Sequence, residues 1–339
     1  MPCFLGVDVG TGSARVGVFD AEGCLLGCGV SDITIYRHGA DFVEQSSEQI
    51  WSAVCVATQD ALKAANVAPA DVASVGFDAT CSLVVLDENG DPLPVGPSGD
   101  PARNIIVWMD HRAIAETEEI NATGHTVLSY VGGTISPEMQ SPKLLWLKRH
   151  KPTTFAKAGH FFDLTDFLTW KATGSLARSS CTVTCKWTYV AGTGGWDDSF
   201  FRQIGLNELA DEGFERIGRE IIEPGQPLAA GLTAEAADAL GLIAGTTVAA
   251  GLIDAHAGGV GTVGAKGLGS PVENMAYVFG TSSCTMTTTA APIFVPGVWG
   301  PYYSAMLPGM WLNEGGQSAA GAAIDRLIGM HPAAAEAGA

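Results

Sequence analysis

The sequence predicts an α/β protein of two related domains, in which a helix packs on a mixed β-sheet and a hairpin from each domain faces a shared cleft. Three observations carry this. The chain opens with short β-rich runs separated by glycine turns, FLGVDV, GTGS, ARVGVFD, AEG and CLLGCGV, which read as consecutive antiparallel strands. A helical pattern, SSEQIWSAVCVATQDALKAAN, then leads into a further strand, VASVGFDAT, with Ser46 and Ser47 placed to cap the helix. Finally, VFGTSSCTM repeats the design of DVGTGSARV about 270 residues later, pairing Gly280 with Gly10, Thr281 with Thr11 and Ser283 with Ser13.

The first third therefore reads ββ(β)αβ, a helix on a mixed sheet. Beyond it, SPKLLWLKRHK and HFFDLTDFLTWKATG read as helices, the second ending near Gly174. The Ser/Thr/Cys-rich stretch from Ser175 to Trp187 is weakly helical. LTAEAADALGL reads as a short capped helix and GTTVAAGLID as one buried strand ending in an acid. After the second hairpin come one helix and an Ala-rich tail. The expected division is a first domain over 1–268 and the truncated start of a second, related domain over 269–339.

Composition narrows the function classes. With 339 residues and 47% hydrophobic side chains, the chain can bury sizeable cores. A net charge of −18, from 36 acidic against 18 basic residues, gives no face the Lys/Arg density that a nucleic-acid backbone requires. One bound nucleotide remains compatible, because loop amides and a divalent cation hold phosphates without many basic side chains. The eight cysteines show no CxxC pair and no zinc-finger spacing, so they read as reduced, mostly buried thiols; Cys24/Cys28 and Cys181/Cys185 read as coincidental core pairs. The apolar stretch Phe4–Val9 has no basic region before it and reads as a strand, not a signal peptide, and no run is long enough to span a bilayer. A cytoplasmic location without membrane contact is the expectation.

Two acids stand where chemistry can occur. In GVDVGTGSARVGVF the third glycine of a dinucleotide fingerprint would fall at Arg15, and an alternating strand follows where that fingerprint needs a helix. Instead, Asp8 closes an apolar strand just before a turn whose free amides and Thr11 hydroxyl suit phosphate oxygens. A carboxylate beside phosphate needs a cation, and Mg²⁺ reconciles the charges. Asp254 ends the run TTVAAGLI before AHAGG, where small residues let a substrate approach, and a carboxylate there can orient a hydroxyl and take its proton. The same position also suits a helix N-cap. His256 reads as a packed or water-bonded histidine. Asp110 and Arg112 in WMDHR border the cleft or hold a loop by an ion pair.

The motifs DVGTGS, WMDHR, HFFDLTDFLTWKATG, GLTAEAADALGLIAGTTVAAGLIDAHAG and VFGTSSC, in this order, resemble the FGGY carbohydrate kinases, of the actin-like ATPase superfamily with its RNase H-like fold. FDATCSLVVL, CKWTY, IDAHAGG and WLNEGGQS are most similar to the ribulokinase branch, D-ribulokinases in particular. The resemblance runs from Gly6 to Asp325 and covers only the beginning of the family's C-terminal domain. It implies Asp254 as catalytic base, Asp8, Gly10 and Thr11 as the first phosphate and magnesium loop, and Gly280, Thr281 and Ser282 as the second phosphate loop. For the sugar it implies Lys186 and Glu314, with the backbone around Cys81 lining the pocket. Read from residue type alone, Lys186 also suits a solvated surface lysine and Glu314 a helix-capping carboxylate. ATP-dependent phosphorylation of a ketopentose, D-ribulose foremost, is the implied reaction, with the chain as it stands weakly active or inactive; a non-catalytic actin-like sugar-binding or regulatory module is the alternative.

Overall fold

The computed structural model describes residues 2–192, 194–267, 269–280, 282–317 and 319–334. Strands β1 (Cys3–Val9), β2 (Ser13–Phe19), β3 (Leu25–Asp32), β4 (Tyr36–His38) and β5 (Phe42–Gln45) precede helix α1 (Ser47–Ala65). β6 (Val72–Ala79), β7 (Leu83–Asp87) and β8 (Ile105–Ile106) lead to α2 (Ile114–Ala122), α3 (Gln140–His150) and α4 (Pro152–Lys157). Next come β9 (Ala158–Asp163), α5 (Leu164–Thr173), β10 (Arg178–Ser179), α6 (Ser180–Lys186), α7 (Asp198–Gln203), α8 (Asn207–Asp211), β11 (Ile221–Ile222) and α9 (Ala234–Leu240). The remainder is β12 (Thr247–Val248), β13 (Leu252–Ile253), α10 (Asp254–Val263), β14 (Met275–Phe279), β15 (Ser283–Thr289), β16 (Trp299–Tyr303), β17 (Trp311–Gln317) and α11 (Gly321–Met330).

The opening alternation forms the expected meander: β1, β2 and β3 pair antiparallel, and β6 joins the far side of β1 in parallel. β12 and β13 both add to β6 in parallel, giving the order β12-β6-β1-β2-β3. Inward residues of β1 alternate with half-exposed ones, as period-2 patterning requires of a sheet with one covered face. The cover is α1. Its N-cap is Ser46, whose side chain accepts from Gln49 N at 3.3 Å, and it ends on Asn66 in the left-handed region at φ 52°. Close seating of α1 on β3 depends on glycine: a Cβ at Gly29 would run into the Ala57 carbonyl, and one at Gly27 into the backbone of Ala65. A second, antiparallel sheet, β4-β5-β8-β7-β9, lies beyond, and the hairpins of the C-terminal part form a third in the order β14-β15-β17-β16.

Two expected elements differ. HFFD is not the start of a helix but β9, antiparallel to β7, because Phe161 and Phe162 fill the cores on either side of that sheet; the helix begins at Leu164 and ends on Gly174 at φ 76°. GTTVAAGLI does not run as one strand. Between β12 and β13 the chain turns its hydrogen bonds to residues 225–228, through Gly225 N to Ala250 O and Ala250 N to Gln226 O, both 2.8 Å. Gly251 is pressed there against Phe77 O and Thr165, leaving no room for a side chain.

One hydrophobic cluster joins the two parts of the chain. It gathers Phe161, Cys181, Trp187 and Ile253 with Met286, Tyr302 and Leu312 from the C-terminal sheet. Arg112 is buried behind the second sheet, gripping Asp110 through Nε to Oδ1 (2.8 Å) and Nη2 to Oδ2 (2.7 Å), and reaching Glu44 Oε1 at 3.0 Å. The pair holds a loop and does not line the cleft, and Trp108 from the same motif lines it instead.

Candidate active site

Three parallel strands end at one edge of the first sheet. Asp8 on β1 stands in register with Asp78 on β6, and Leu252 of β13 is Asp78's partner on the other side. Asp254 follows directly as the first residue of α10, with Ile253 in the N-cap position, and its Oδ1 accepts from Ala255 N at 2.7 Å. The asp-ending strand is thus a strand-to-helix corner. AHAGG continues as helix because its small residues let α10 lie against β14: a Cβ on Gly258 would already touch Val278 at 3.1 Å.

The two Gly-Thr turns face each other across this corner. In the first, Gly10 N donates to Ser13 O at 3.0 Å; in the second, Gly280 N donates to Ser282 O at 2.8 Å. The flanking pairs are Val9 with Ala14 and Phe279 with Ser283, so the second loop is one residue tighter than the first and the match breaks down after the glycine. Thr11 is pinned from two sides, its hydroxyl accepting from Trp108 Nε1 at 3.0 Å and its carbonyl from Gln45 Nε2 at 2.7 Å. Both turns line a single cavity of about 840 Å³. The cavity is also lined by Asp8, Asp254, Cys81, Lys186 and Glu314. Every site residue expected from the sequence is therefore brought to one place, except Thr281, which lies outside the described residues.

Neither plain alternative for Lys186 and Glu314 holds. Lys186 is not a surface lysine: it is buried at the end of α6, its Nζ 4.6 Å from the centroid of the Trp299 ring. Burial opposes its charge, but the acidic groups around it, Cys81 and then Glu314, more than restore it and push its pKa above the usual lysine range. Glu314 is not a cap. It sits inside β17, 3.5 Å from His256 Nε2, and although burial disfavours the carboxylate, Lys186 and His256 hold it ionised, down to about 2. The Cys81 thiol is buried and pushed up to about 12, so it presents a neutral wall.

Two residues, Asp78 and Trp108, escaped the sequence reading. Asp78 is pushed up to about 9, by burial first and then by Asp8 and Asp254 beside it. Its signal was available, since FDA closes an apolar strand with an acid in the same way as VDV. Trp108 left no signal. His256 is fully buried, as a packed histidine, and with the buried Cys181 and Cys185 it forms a compact donor group. As for the remaining thiols, Cys3 is buried, Cys55 and Cys284 are half-buried, and Cys24 and Cys28 are exposed, so burial is less general than expected.

Asp254 has its pKa raised, chiefly by burial, which suits a proton acceptor. The arrangement offers phosphate-sized turns on two sides, carboxylates at the corner, and an ionised Lys/Glu pair able to serve several hydroxyls. No helix among the described residues is long and apolar enough to cross a membrane.

Known proteins resemble the chain at every level. Residues 3–261 match the model of the FGGY family of carbohydrate kinases, N-terminal domain, and residues 275–339 match that of its C-terminal domain. A human FGGY carbohydrate kinase domain-containing protein is 52% identical over 97% of this chain and 61% of its own length. The D-ribulokinase of Saccharomyces cerevisiae is 43% identical over 98% of this chain and 50% of its own length, and a ribulokinase of Shouchella clausii is 32% identical over 94% and 59%. The chain thus spans about half to three-fifths of the length of these relatives. Among solved structures, xylulose kinase from Rhodospirillum rubrum superposes with a TM-score of 0.80 at 19% identity, over 98% of this chain and 65% of its own. Plasmodium falciparum glycerol kinase with ADP gives 0.76 at 14%, over 97% and 63%. These likenesses show the actin-like sugar-kinase fold, and the family match over most of the sequence settles the lineage: the chain belongs to the FGGY family of carbohydrate kinases.

Proposed function

We propose that the protein phosphorylates a ketopentose with ATP, D-ribulose at its C5 oxygen foremost. The observation that carries this reading is Asp254, with its raised pKa, at a crevice edged by both Gly-Thr turns and opposite the Lys186/Glu314 pair. In the proposed step Asp254 takes the proton of the sugar hydroxyl as the oxygen bonds to the γ-phosphorus, the bond from that phosphorus to the bridging oxygen breaks, and ADP leaves. Gly10, Thr11, Gly280, Thr281 and Ser282 are assigned to the phosphates, and Lys186, Glu314 and the backbone at Cys81 to the sugar. Asp8 is assigned to Mg²⁺. The fit of a divalent cation rests on the gathering of Asp8, Asp78 and Asp254 at one corner, where burial first and then the two neighbouring acids push Asp78 up to about 9. Bound there, the cation would neutralise phosphate charge. Residues 1–268 are read as the sugar and base domain and 269–339 as the portion of the second domain present here.

The choice of D-ribulose follows the 43% identity to a yeast D-ribulokinase, against 32% for a bacterial ribulokinase. Between epimeric pentuloses one or two hydrogen bonds decide. The test is ADP release, coupled to a reporter, with D-ribulose, L-ribulose and D-xylulose in turn. D-ribulose is expected to give the highest kcat/KM. A higher value for either competitor overturns the sugar assignment, and ADP release indifferent to all three overturns the kinase reading for this protein.

A further inference from the structure

Behind the Lys186/Glu314 pair lies a group of side chains that phosphoryl transfer does not use. On α6, Cys181 and Cys185 are one helical turn apart, so their thiols share a face. His256, in the first turn of α10, points at them. Cys185 Sγ is 3.6 Å from His256 Nε2, and the three donor atoms all lie within 4.8 Å of one another. All three residues are buried. Glu314 Oε2, buried and without a hydrogen-bond partner of normal geometry, stands 3.5 Å from the same Nε2.

We propose that Cys181, Cys185 and His256 form a buried site for a thiophilic divalent cation of the zinc class, with Glu314 beside His256. Tetrahedral zinc holds sulfur at about 2.3 Å and imidazole nitrogen at about 2.0–2.1 Å, which sets neighbouring donors roughly 3.5–3.8 Å apart. The observed spacings reach that geometry with small side-chain movements. Two thiolates and an imidazole select zinc over magnesium or calcium. Charge also balances: the two thiolates match the dication, and the neighbouring Lys186 ammonium and Glu314 carboxylate offset each other, in a place where unpaired charge is costly. His256 Nδ1 lacks a partner whether or not a metal sits on Nε2, so it does not discriminate. The consequence is mechanical. A metal here ties α6, which carries Lys186, to α10, which carries Asp254, fixing Lys186 against the base.

The proposal is independent of which sugar the protein takes. The test uses the reduced, chelator-stripped protein titrated with Co²⁺ and then Zn²⁺. Expected are one cobalt per chain, a thiolate-to-cobalt charge-transfer band with tetrahedral visible absorption, loss of both on adding zinc, and a higher Tm with zinc. Cys185→Ser removes the band and the Tm shift, while Cys24→Ser, at an exposed thiol, leaves them. His256→Gln serves as the second variant if Cys185→Ser does not fold. No thiolate band, or a band that survives Cys185→Ser or His256→Gln, or one that vanishes with Cys24→Ser, overturns the proposal.

Discussion

In the proposed mechanism Asp254 and Lys186 do separable things, and substitution should separate them. Asp254→Asn keeps the shape of the corner and the contact with Ala255 N but cannot take a proton. Phosphorylation should fall by about 10²–10⁴-fold, while sugar affinity measured by calorimetry stays within a few-fold; equal losses in both would mean that Asp254 merely binds. Lys186→Met preserves much of the side-chain volume and removes the charge. Sugar affinity should drop by about 10–100-fold, the worth of a hydrogen bond to a charged group. The unfolding temperature should drop too, because Glu314 is left buried without its main counter-charge. Unchanged sugar affinity with an unchanged melt would return Lys186 to the solvated role that its residue type suggests.

At the scale of elements, tight contacts are made by the residues that look least informative. Gly29 lies in a strand, yet its lack of a side chain is what allows α1 to rest on β3. Gly29→Ala should cost about 1–3 kcal/mol by overpacking, read as a lowered denaturation midpoint with an unchanged slope. Gly12→Ala, where an added Cβ meets nothing within 4 Å, is the control. Helix α10 follows the same rule: a Cβ on Gly258 would meet Val278 of β14, and one on Gly259 would meet Met306 and Met286.

For the whole molecule, the carboxylate corner sets a pH dependence. Asp78 is pushed up from 3.8 to about 9. The native state therefore keeps a proton that the unfolded chain has released, and this group's contribution to stability is full below about pH 4 and is lost as pH rises through about 9. Asp78→Asn removes that slope. Its melting temperature should match the parent near pH 4 and exceed it near pH 8; parallel profiles would show that Asp78 ionises freely. Added Mg²⁺ with nucleotide should flatten the parent's slope in the same way.

Much of this was legible because it is local. Strand periodicity, the Ser46 cap, the Gly174 stop and the Gly-Thr turns depend on residues within a few positions of one another, and motif order was enough to suggest the family and nine of the residues that line the cleft. Elsewhere the decision came from distant partners. HFFD is a strand because β7 lies beside it; GTTVAAGLI is split because residues 225–228 take its hydrogen bonds; Lys186 is buried because Trp299 and Glu314 arrive from more than a hundred residues away. So the sequence alone determined the turns, caps and most of the strands, the family, and the residues to which the proposed chemistry is assigned. Tertiary structure decided their ionisation, the crowding of three acids at one sheet edge and the gathering of two cysteines, a histidine and a glutamate, because burial and charge depend on neighbours that only the folded chain brings together.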